Sequence, residues 1–277
     1  MNNGYYFAEA CKNTFLLFDY LSMNQIDQPA LQQACEHLIK EKRDDAMLLF
    51  EGQVKGDSFF ARMLVLGVDG ALGEFCGNGA RACAAYLFSR YPEYLNFYLV
   101  SNRGIHQLSR YQDGTYSIQL PPINFEPSSK FVARADRFSK NDGCYSFLFE
   151  GKHFVYADVI EPHLIIQEEI NDEELLRLGH LINQQKDFFP LGINVNSCRV
   201  LDDNSILVRT YERAVQKLTQ SCGTGSCCSA AWHLKGKDGT VSATTLGGNL
   251  EITVRSDGIN LKGPATIESF QSLNQAG

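Results

Sequence analysis

Two cysteine-glycine segments recur in the chain and carry its most informative chemistry. The first begins at Cys76 and reads C-G-N-G-A-R-A-C-A-A, and the second begins at Cys222 and reads C-G-T-G-S-C-C-S-A-A. The cysteine, both glycines and the closing Ala-Ala pair are identical, and the segments occupy corresponding places in the two halves of the chain. This repeat indicates a duplicated, pseudo-twofold structure in which two thiols serve one function.

Each cysteine precedes a stretch that is compatible with a helix, Ala80–Ser89 in the first half and Ser226–Lys235 in the second. A thiol at a helix N-terminus lies beside unpaired N–H groups and the positive end of the helix dipole, which favour the thiolate. The same N–H groups can bind a carboxylate, and glycine lets the backbone approach a ligand closely. Two such termini facing each other would hold one carboxylate and place a sulfur on each face of the neighbouring carbon.

That arrangement suits the inversion of an amino-acid α-carbon. One thiolate removes the α-proton from one face, the opposite thiol delivers a proton to the other face, and the roles exchange in the reverse direction. N–H donors at the carboxylate stabilise the negative charge that develops in the carbanion. The sequence therefore predicts Cys76 and Cys222 as the catalytic pair of an amino-acid epimerase.

Other uses of the cysteines fit the sequence less well. Neither a C-x-x-C pair nor a histidine at ligand spacing accompanies them, which disfavours a zinc site and a thiol redox protein. Neither glycine segment ends in the Gly-Lys-Ser/Thr of a phosphate-binding loop. A non-catalytic amino-acid-binding protein stays open as an alternative, although binding alone requires no pair of thiols. The other cysteines are expected to be small buried residues: Cys11, Cys35, Cys83, Cys144, Cys198, Cys227 and Cys228.

Composition restricts the partners. The 277 residues suffice for one large or two modest domains, and a net charge of -7 without a basic stripe argues against nucleic acid. No apolar run of about 18 residues predicts a membrane span, and the start of the chain lacks a signal-peptide pattern. Nine cysteines without a secretory signal favour free thiols in the cytoplasm. The expected partner is a small-molecule amino-acid substrate.

Short strands with few helices are predicted between these segments, so the chain is expected to be α+β. Helices are predicted at Leu31–Lys40 and at Asp172–Asn183, the latter with Asn171 as N-cap. The segment from Pro121-Pro122 to Lys130 has the composition of a linker. Strands are predicted at Thr14–Tyr20, Phe59–Leu66, Leu95–Val100, Tyr116–Leu120, Phe154–Val159, Ile193–Val200, Ile206–Tyr211 and Leu250–Val254.

The chain resembles the diaminopimelate epimerase family along nearly its whole length. That family carries C-G-N-G-A-R in its first half and A-C-G-[ST]-G-A in its second, as around Cys76 and Cys222 here. Further matches are Asn13 in K-N-T-F, the pair Pro162-His163, Asn194 after an apolar residue, the triplet Tyr211-Glu212-Arg213 and the pair Gly247-Gly248.

The resemblance implies two pseudo-symmetric domains, each a barrel-like mixed sheet around a central helix, with the active site in the cleft between them. Residues 1–121 would form the N-terminal domain and residues 122–264 the C-terminal domain, while a strand within residues 265–277 packs back on the first. Family members need neither pyridoxal phosphate nor metal, so no cofactor is expected. They commonly form dimers, and a homodimer is expected here.

The resemblance also implies roles for residues around the thiols. His163 would lie near a catalytic thiol, with Glu161 as an auxiliary residue, although His163 could equally be a core histidine. Asn194 could instead satisfy a turn, and Glu212-Arg213 could be a solvated pair. The residues expected to hold the reacting carboxylate are Gly77, Asn78, Gly79, Gly223 and Thr224. Those expected to recognise the remainder of the substrate are Asn13, Asn194, Glu212 and Arg213.

Three positions depart from the family pattern. Gly67 replaces the asparagine of N-A-D-G, Glu161 replaces the asparagine before Pro-His, and Ala46 replaces a small or amide residue after an aspartate. An amide can bind both the ammonium and the carboxylate of a distal amino-acid head, whereas glutamate can bind only the ammonium. LL-diaminopimelate, which the family converts to the meso form, is the expected substrate. A racemase for a basic amino acid (lysine, arginine or histidine) is the alternative.

Overall fold

The computed structural model describes residues 4–73, 75–141, 143–166 and 168–272. In this part of the chain, strands far outnumber helices, so the fold is a sheet-dominated α+β fold, as the sequence predicts. The α-helices are α1 (Gln28–Glu41), α2 (Gly77–Arg90), α3 (Asp172–Gln184) and α4 (Gly223–His233). The strands are β1 (Gly4–Ala10), β2 (Asn13–Tyr20), β3 (Asp45–Lys55), β4 (Ser58–Gly67), β5 (Leu72–Gly73), β6 (Asn96–Ser101), β7 (Gly104–Arg110), β8 (Thr115–Leu120), β9 (Ser139–Asn141), β10 (Cys144–Phe149), β11 (Lys152–Val159), β12 (Glu161–Ile166), β13 (Asn194–Asp202), β14 (Ser205–Glu212), β15 (Lys217–Leu218), β16 (Gly239–Thr245), β17 (Gly248–Arg255), β18 (Gly258–Pro264) and β19 (Thr266–Ser272).

The chain divides into two compact units. Unit 1 comprises the described residues of Met1–Gln119 and Lys262–Gly277, and unit 2 comprises Leu120–Leu261. The division lies at the end of β8, before its last residue Leu120 and just before the Pro121-Pro122 pair. Strand β19 pairs antiparallel with β1, which explains why this strand belongs to unit 1. Residues 273–277 of the predicted terminal strand lie outside the described residues.

The two units repeat the same order of elements. In unit 1, β2 and β3 are parallel, β3 and β4 antiparallel, and β4 and β6 parallel, with α1 and α2 connecting the two parallel pairs. In unit 2, β12 and β13 are parallel, β13 and β14 antiparallel, and β14 and β16 parallel, with α3 and α4 in the corresponding connections. The pseudo-symmetric duplication predicted from the cysteine-glycine repeat is therefore confirmed.

Each unit has one helix that is buried on nearly every side. Helix α2 is buried from Gly77 to Leu87, and α4 is buried from Gly223 to Ala231. Their small residues permit sheet residues to pack against every face, which identifies them as the central helices predicted for the two domains. Helices α1 and α3 bury only one face, because their apolar residues recur at helical spacing between charged ones.

Capping residues explain where the outer helices begin. Asp27 caps α1, and its carboxylate accepts a hydrogen bond from the backbone N–H of Ala30. Helix α1 begins three residues before the predicted Leu31, because Pro29 occupies its first turn and needs no N–H partner there. Asn171 caps α3 and accepts from the N–H of Glu174 at 2.8 Å, as the sequence predicts.

Strand β12 is not among the strands predicted from the sequence, although it contains the predicted site residues Glu161 and His163. Pro162 lies in that strand and lacks the N–H that a regular ladder uses, so the sequence alone argues against a strand there. In the structure β12 pairs antiparallel with β11 and parallel with β13, and it is buried from Pro162 to Ile166. Burial of this apolar segment outweighs the missing ladder bond.

A close contact between Gly179 and Tyr211 generates a prediction for the stability of unit 2. A Cβ atom at Gly179 of α3 would lie well inside van der Waals contact with the buried ring of Tyr211 in β14. Gly179→Ala should therefore lower the free energy of unfolding by about 1–3 kcal/mol, despite the higher helix propensity of alanine. Urea unfolding followed by fluorescence of the single tryptophan, Trp232 in α4, measures the effect. The exposed Gln184→Ala is the control, and an equal midpoint in both variants would contradict the packing argument.

Candidate active site

Both predicted catalytic cysteines are N-cap residues of central helices. The sulfur of Cys76 accepts a hydrogen bond from the backbone N–H of Gly79 at 3.3 Å, and the sulfur of Cys222 accepts one from Gly225 at 3.4 Å. The helices begin at Gly77 and Gly223, three residues before the predicted starts, because the glycines form the first turn. Each thiol thus lies directly at a helix N-terminus, where the dipole favours the thiolate.

In unit 1, a buried guanidinium organises the first turn of α2. Arg81 is fully buried, and its Nη2 donates to the side-chain oxygen of Asn78 at 2.6 Å. Its Nη1 donates to the carbonyl of Gly77 at 3.4 Å. The positive charge of Arg81 therefore lies in the helical turn that follows Cys76 and fixes the orientation of the Asn78 amide.

The same arginine connects α2 to the turn between β1 and β2. Its Nη2 lies 3.4 Å from the sulfur of Cys11, which is buried in that turn. Cys11 and Lys12 both adopt positive φ, which produces the tight hairpin before Asn13, the first residue of β2. Unit 1 thus places the Asn13 turn against the helix that carries Cys76. Sequence reasoning missed Arg81. The signal was a difference between the two repeats, because the second repeat has Cys227 at the position of Arg81.

In unit 2, hydrogen bonds join Cys222 to a buried histidine. The sulfur of Cys222 lies 3.5 Å from the hydroxyl of Thr224, and that hydroxyl lies 3.0 Å from Nε2 of His163. Nδ1 of His163 lies 3.1 Å from the side-chain oxygen of Asn196. His163 is thus a buried histidine that is also connected, through Thr224, to the predicted catalytic thiol of its own unit.

Burial lowers the pKa of His163 to about 3, and the positive charge of Arg213 also lowers it. The hydrogen bond with Asn196 acts in the opposite direction and raises this pKa. The imidazole is therefore neutral at physiological pH. A neutral ring carries a proton on one nitrogen only, so it donates one hydrogen bond and accepts the other.

The predicted substrate-recognition residues of unit 2 are held by one another. Arg213 forms a salt bridge with Glu161, donates to the carbonyls of Leu191 and Gly192, and lies over the ring of Phe131. Both partners of the salt bridge are largely buried, with about one sixth of each side chain exposed (15% and 16%). Glu161 therefore pairs with the guanidinium of Arg213, whereas the other acidic candidate of this region, Glu212, has a different partner.

Glu212 and Asn194 interact separately from that pair. The carboxylate of Glu212 accepts from the hydroxyl of Thr219 at 2.5 Å. The side-chain oxygen of Asn194 accepts from the backbone N–H of Arg213 at 3.0 Å, so Asn194 fixes the end of β14. The interpretation of Glu212-Arg213 as a pair of solvated neighbours does not describe the structure, because Arg213 is bonded to Glu161.

Two of the three departures from the family pattern lie in unit 1. Gly67 ends β4 opposite Asp45, and a Cβ atom there would meet the carboxylate of Asp69 at 2.9 Å. Ala46 is fully buried in an apolar cluster with Leu16 and Leu66, beneath α1. Its side chain therefore packs in the core, whereas the next residue of β3, Met47, contacts α2.

Met47 and Asn196 occupy matched positions in the two units. A Cβ atom at Gly79 would collide with the side chain of Met47, and one at Gly225 would meet the amide of Asn196 at 2.9 Å. Both residues thus pack against the second glycine of the repeat. Sequence reasoning also missed Asn196, whose signal is the alternation N-V-N, which places Asn194 and Asn196 on one face of β13.

Five of the seven cysteines assigned to structural roles are buried as predicted, whereas Cys35 and Cys144 are only partly buried. Burial raises the pKa of Cys83 and Cys228 far above the ordinary thiol value, and it raises the pKa of Cys198 to about 12. These thiols are therefore protonated and inert at neutral pH. All nine cysteines are free thiols.

Two further features concern metals and membranes. Within residues 4–73, 75–141, 143–166 and 168–272, no group of three or more His, Cys, Asp and Glu side chains is arranged to hold a metal ion. None of the helices in the described part of the chain is both long enough and apolar enough to cross a membrane.

The sequence is similar to a family model and to proteins of that family. Residues 156–268 match the family model described as diaminopimelate epimerase. A diaminopimelate epimerase from Rhodococcus erythropolis is 30% identical over 222 residues, which cover 75% of this chain and 70% of the relative. One from Enterococcus faecalis is 29% identical over 278 residues, which cover 92% of this chain and 84% of the relative.

Solved structures share the fold at lower identity. A hydroxyproline epimerase from Agrobacterium vitis superimposes with a TM-score of 0.64 at 13% identity, over 97% of this chain and 90% of that one. A phenazine biosynthesis protein of the PhzF family from Bacillus anthracis gives a TM-score of 0.62 at 13% identity, over 97% of both chains. These likenesses establish the two-domain fold.

The lowered pKa of His163 generates a prediction for stability against pH. Its folded pKa of about 3 lies below its unfolded value near 6.5, so the unfolded state binds the extra proton as the pH falls. The contribution of the neutral His163 to the free energy of unfolding is fully present above pH 6.5. It is lost toward pH 3, at up to about 1.4 kcal/mol per pH unit. His163→Gln should flatten this slope in urea unfolding followed by Trp232 fluorescence between pH 7 and 4. The exposed His153→Gln should leave the slope unchanged, and a wild-type slope in His163→Gln would refute the assignment.

Proposed function

The chain belongs to the diaminopimelate epimerase family and is an amino-acid epimerase, and we propose that Cys76 and Cys222 are its two acid-base catalysts, working without a cofactor. The observation that carries this proposal is that two duplicated units each present one cysteine as the N-cap of a buried, glycine-initiated helix. A structural cysteine has no reason to occupy this position twice, since serine, threonine or aspartate caps a helix better.

The helix starts account for both binding and proton transfer. Backbone N–H groups at positions 77–78 and 223–224 would bind the substrate carboxylate, next to the N–H groups of Gly79 and Gly225 that donate to the sulfurs. One sulfur removes the α-proton as a thiolate, and the other delivers its S–H proton to the opposite face of the carbanion. The N–H groups stabilise the charge that moves onto the carboxylate.

The two-thiol mechanism predicts that either cysteine is indispensable. Cys76→Ala and Cys222→Ala should each lower kcat for inversion by about 10²–10⁴-fold, because a general acid or base is lost. The serine variants should retain little activity, because a hydroxyl is a far weaker base than a thiolate near neutral pH. Solvent-deuterium uptake at the α-carbon measures this effect, and the partly exposed Cys35→Ala is the control. Near-normal turnover in Cys222→Ala would exclude the mechanism.

We propose LL-diaminopimelate as the substrate, converted to the meso form for lysine and peptidoglycan precursor synthesis. The named relatives and the retained Asn13, Asn194, Glu212 and Arg213 support this substrate. The reaction would take place in the cytoplasm, where thiols stay reduced, and the chain would act as a homodimer.

The salt bridge between Glu161 and Arg213 favours a second candidate substrate class. The carboxylate of Glu161 neutralises the guanidinium of Arg213, which would otherwise attract a distal carboxylate of the substrate. A substrate carboxylate must then compete with Glu161 for the same N–H donors, at a cost of about 1.5–3 kcal/mol for each charge-assisted bond lost. An amino acid with a cationic side chain avoids this competition, so lysine, arginine and histidine are the alternative substrates.

Freeing Arg213 should therefore change the substrate preference. Glu161→Asn, alone or with Gly67→Asn, should raise kcat/KM for LL-diaminopimelate relative to lysine, arginine and histidine. A tenfold change corresponds to about 1.4 kcal/mol, which one charge-assisted contact can supply. Glu168→Gln removes a carboxylate that pairs with Lys152 on the surface, and it is the control. Unchanged ratios in the Glu161 variants would show that this ion pair does not determine specificity.

A further inference from the structure

The amide of Asn196 has a defined orientation in the core of unit 2. Its Nδ2 donates to the carbonyl of Gly225 at 2.9 Å and lies 3.3 Å from the hydroxyl of Ser229. The Gly225 carbonyl can only accept a hydrogen bond, so the nitrogen must lie on that side. The amide oxygen of Asn196 consequently faces Nδ1 of His163, at 3.1 Å.

This orientation fixes the proton position on His163. An amide oxygen only accepts, so Nδ1 of His163 carries the proton and Nε2 is left with its lone pair. Nε2 must then accept from the hydroxyl of Thr224, at 3.0 Å. Because the Thr224 hydrogen points to His163, its oxygen can only accept on the side of Cys222, whose sulfur lies 3.5 Å away.

We propose that Asn196 is a positioning residue that, through His163 and Thr224, keeps the proton on the sulfur of Cys222 in the resting enzyme. The S–H group donates to the Thr224 oxygen, whereas a thiolate would face that oxygen without a proton between them. This inference rests on the proposed function, since it assigns the resting acid of the thiol pair. In turnover, Cys222 would first deliver the proton that Asn196 has helped it to retain.

The matched positions of unit 1 lack this chain. Met47 stands where unit 2 has Asn196, and a thioether cannot orient a histidine by donating and accepting together. Arg81, whose place in α4 is taken by Cys227, supplies a buried positive charge to the first turn of α2, where it contacts Asn78. Unit 1 therefore favours a thiolate at its N-cap, and unit 2 favours a thiol.

The neighbouring titratable groups do not replace Asn196 in this role. Cys228 interacts with Cys222 and Asp158, but burial raises its pKa so far that it remains a neutral thiol. The charge of Arg213 opposes protonation of His163, which keeps the ring in the neutral form that the chain requires. In unit 1, Cys83 interacts with Cys76 and is likewise protonated because of burial.

Asn196→Asp reverses the polarity of the chain with almost no change in shape, and it removes the hydrogen bond from Asn196 to the Gly225 carbonyl. The carboxylate favours an imidazolium at His163, whose Nε2–H then donates to the Thr224 oxygen. The Thr224 hydrogen is released toward Cys222 and stabilises its thiolate. Iodoacetamide alkylation at pH 6.5, with peptide mass spectrometry, should therefore show a rise of about tenfold in the rate at Cys222 and no change at Cys76.

A double variant separates this chain from general loosening of the core. Thr224→Val keeps the side-chain shape but removes the hydroxyl, so adding Asn196→Asp to this variant should have no effect on Cys222. Asn183→Asp, a change of a half-buried asparagine that binds only backbone groups, is the matched control. An unchanged Cys222 rate in Asn196→Asp, the same rise when Thr224→Val is also present, or an equal rise in Asn183→Asp would each overturn the proposal.

A spectroscopic measurement tests the same chain in the wild-type protein. Nitrogen-15 chemical shifts of the imidazoles, with His163 identified by its loss in His163→Gln, should show a neutral ring protonated at Nδ1 from pH 5 to 8. A ring protonated at Nε2 would overturn the proposal even if the Asn196 variants do not fold. Neither the alkylation rates nor the chemical shifts require turnover. Absence of α-hydrogen exchange would therefore refute the proposed function, whereas these two measurements test the role of Asn196 independently.

Discussion

A hydrogen bond from a backbone N–H to a cysteine sulfur at the start of a buried helix is the interaction that positions both predicted catalytic cysteines. It occurs at Cys76 and again at Cys222, and in each case the donor is the second glycine of the repeat. Sulfur is a weak acceptor, and cysteine is a poorer cap than serine or aspartate. Glycine in the first turn weakens the helix further. These helices must therefore obtain their stability from elsewhere in the fold.

Burial supplies that stability. The helices α2 and α4 are enclosed by their sheets, so packing of their alanine and cysteine side chains outweighs weak capping. The second glycine has a further role, because a Cβ atom there would collide with Met47 in one unit and with Asn196 in the other. The same small residues thus permit close approach of a strand behind the helix and leave N–H groups available at its front.

Duplication produced two similar scaffolds whose matched positions then diverged. Unit 1 has Arg81 and Met47 where unit 2 has Cys227 and Asn196, so one helix start is near a buried cation and the other near a neutral imidazole. The proposed inverting pair would need one base and one acid at any moment, and two identical environments would favour the same protonation state at both sulfurs. The divergence is a physical means of making the two thiols unlike.

The sequence by itself determined the duplication, the α+β class, the two central helices and the cysteines that begin them. Each of these features depends on local patterns, such as a repeated Cys-Gly-x-Gly, Asn171 before an acidic first turn, or alternating apolar residues in strands. Strand β12 is absent from the predicted strands. Pro162 disfavours a strand locally, and burial between β11 and β13 outweighs that local effect. The contacts of Glu161, Arg213, His163 and Asn196 likewise depended on tertiary structure. The partners of their side chains lie 21 to 61 residues away in the chain, and hydrogen bonds over such separations leave no periodic trace in the sequence.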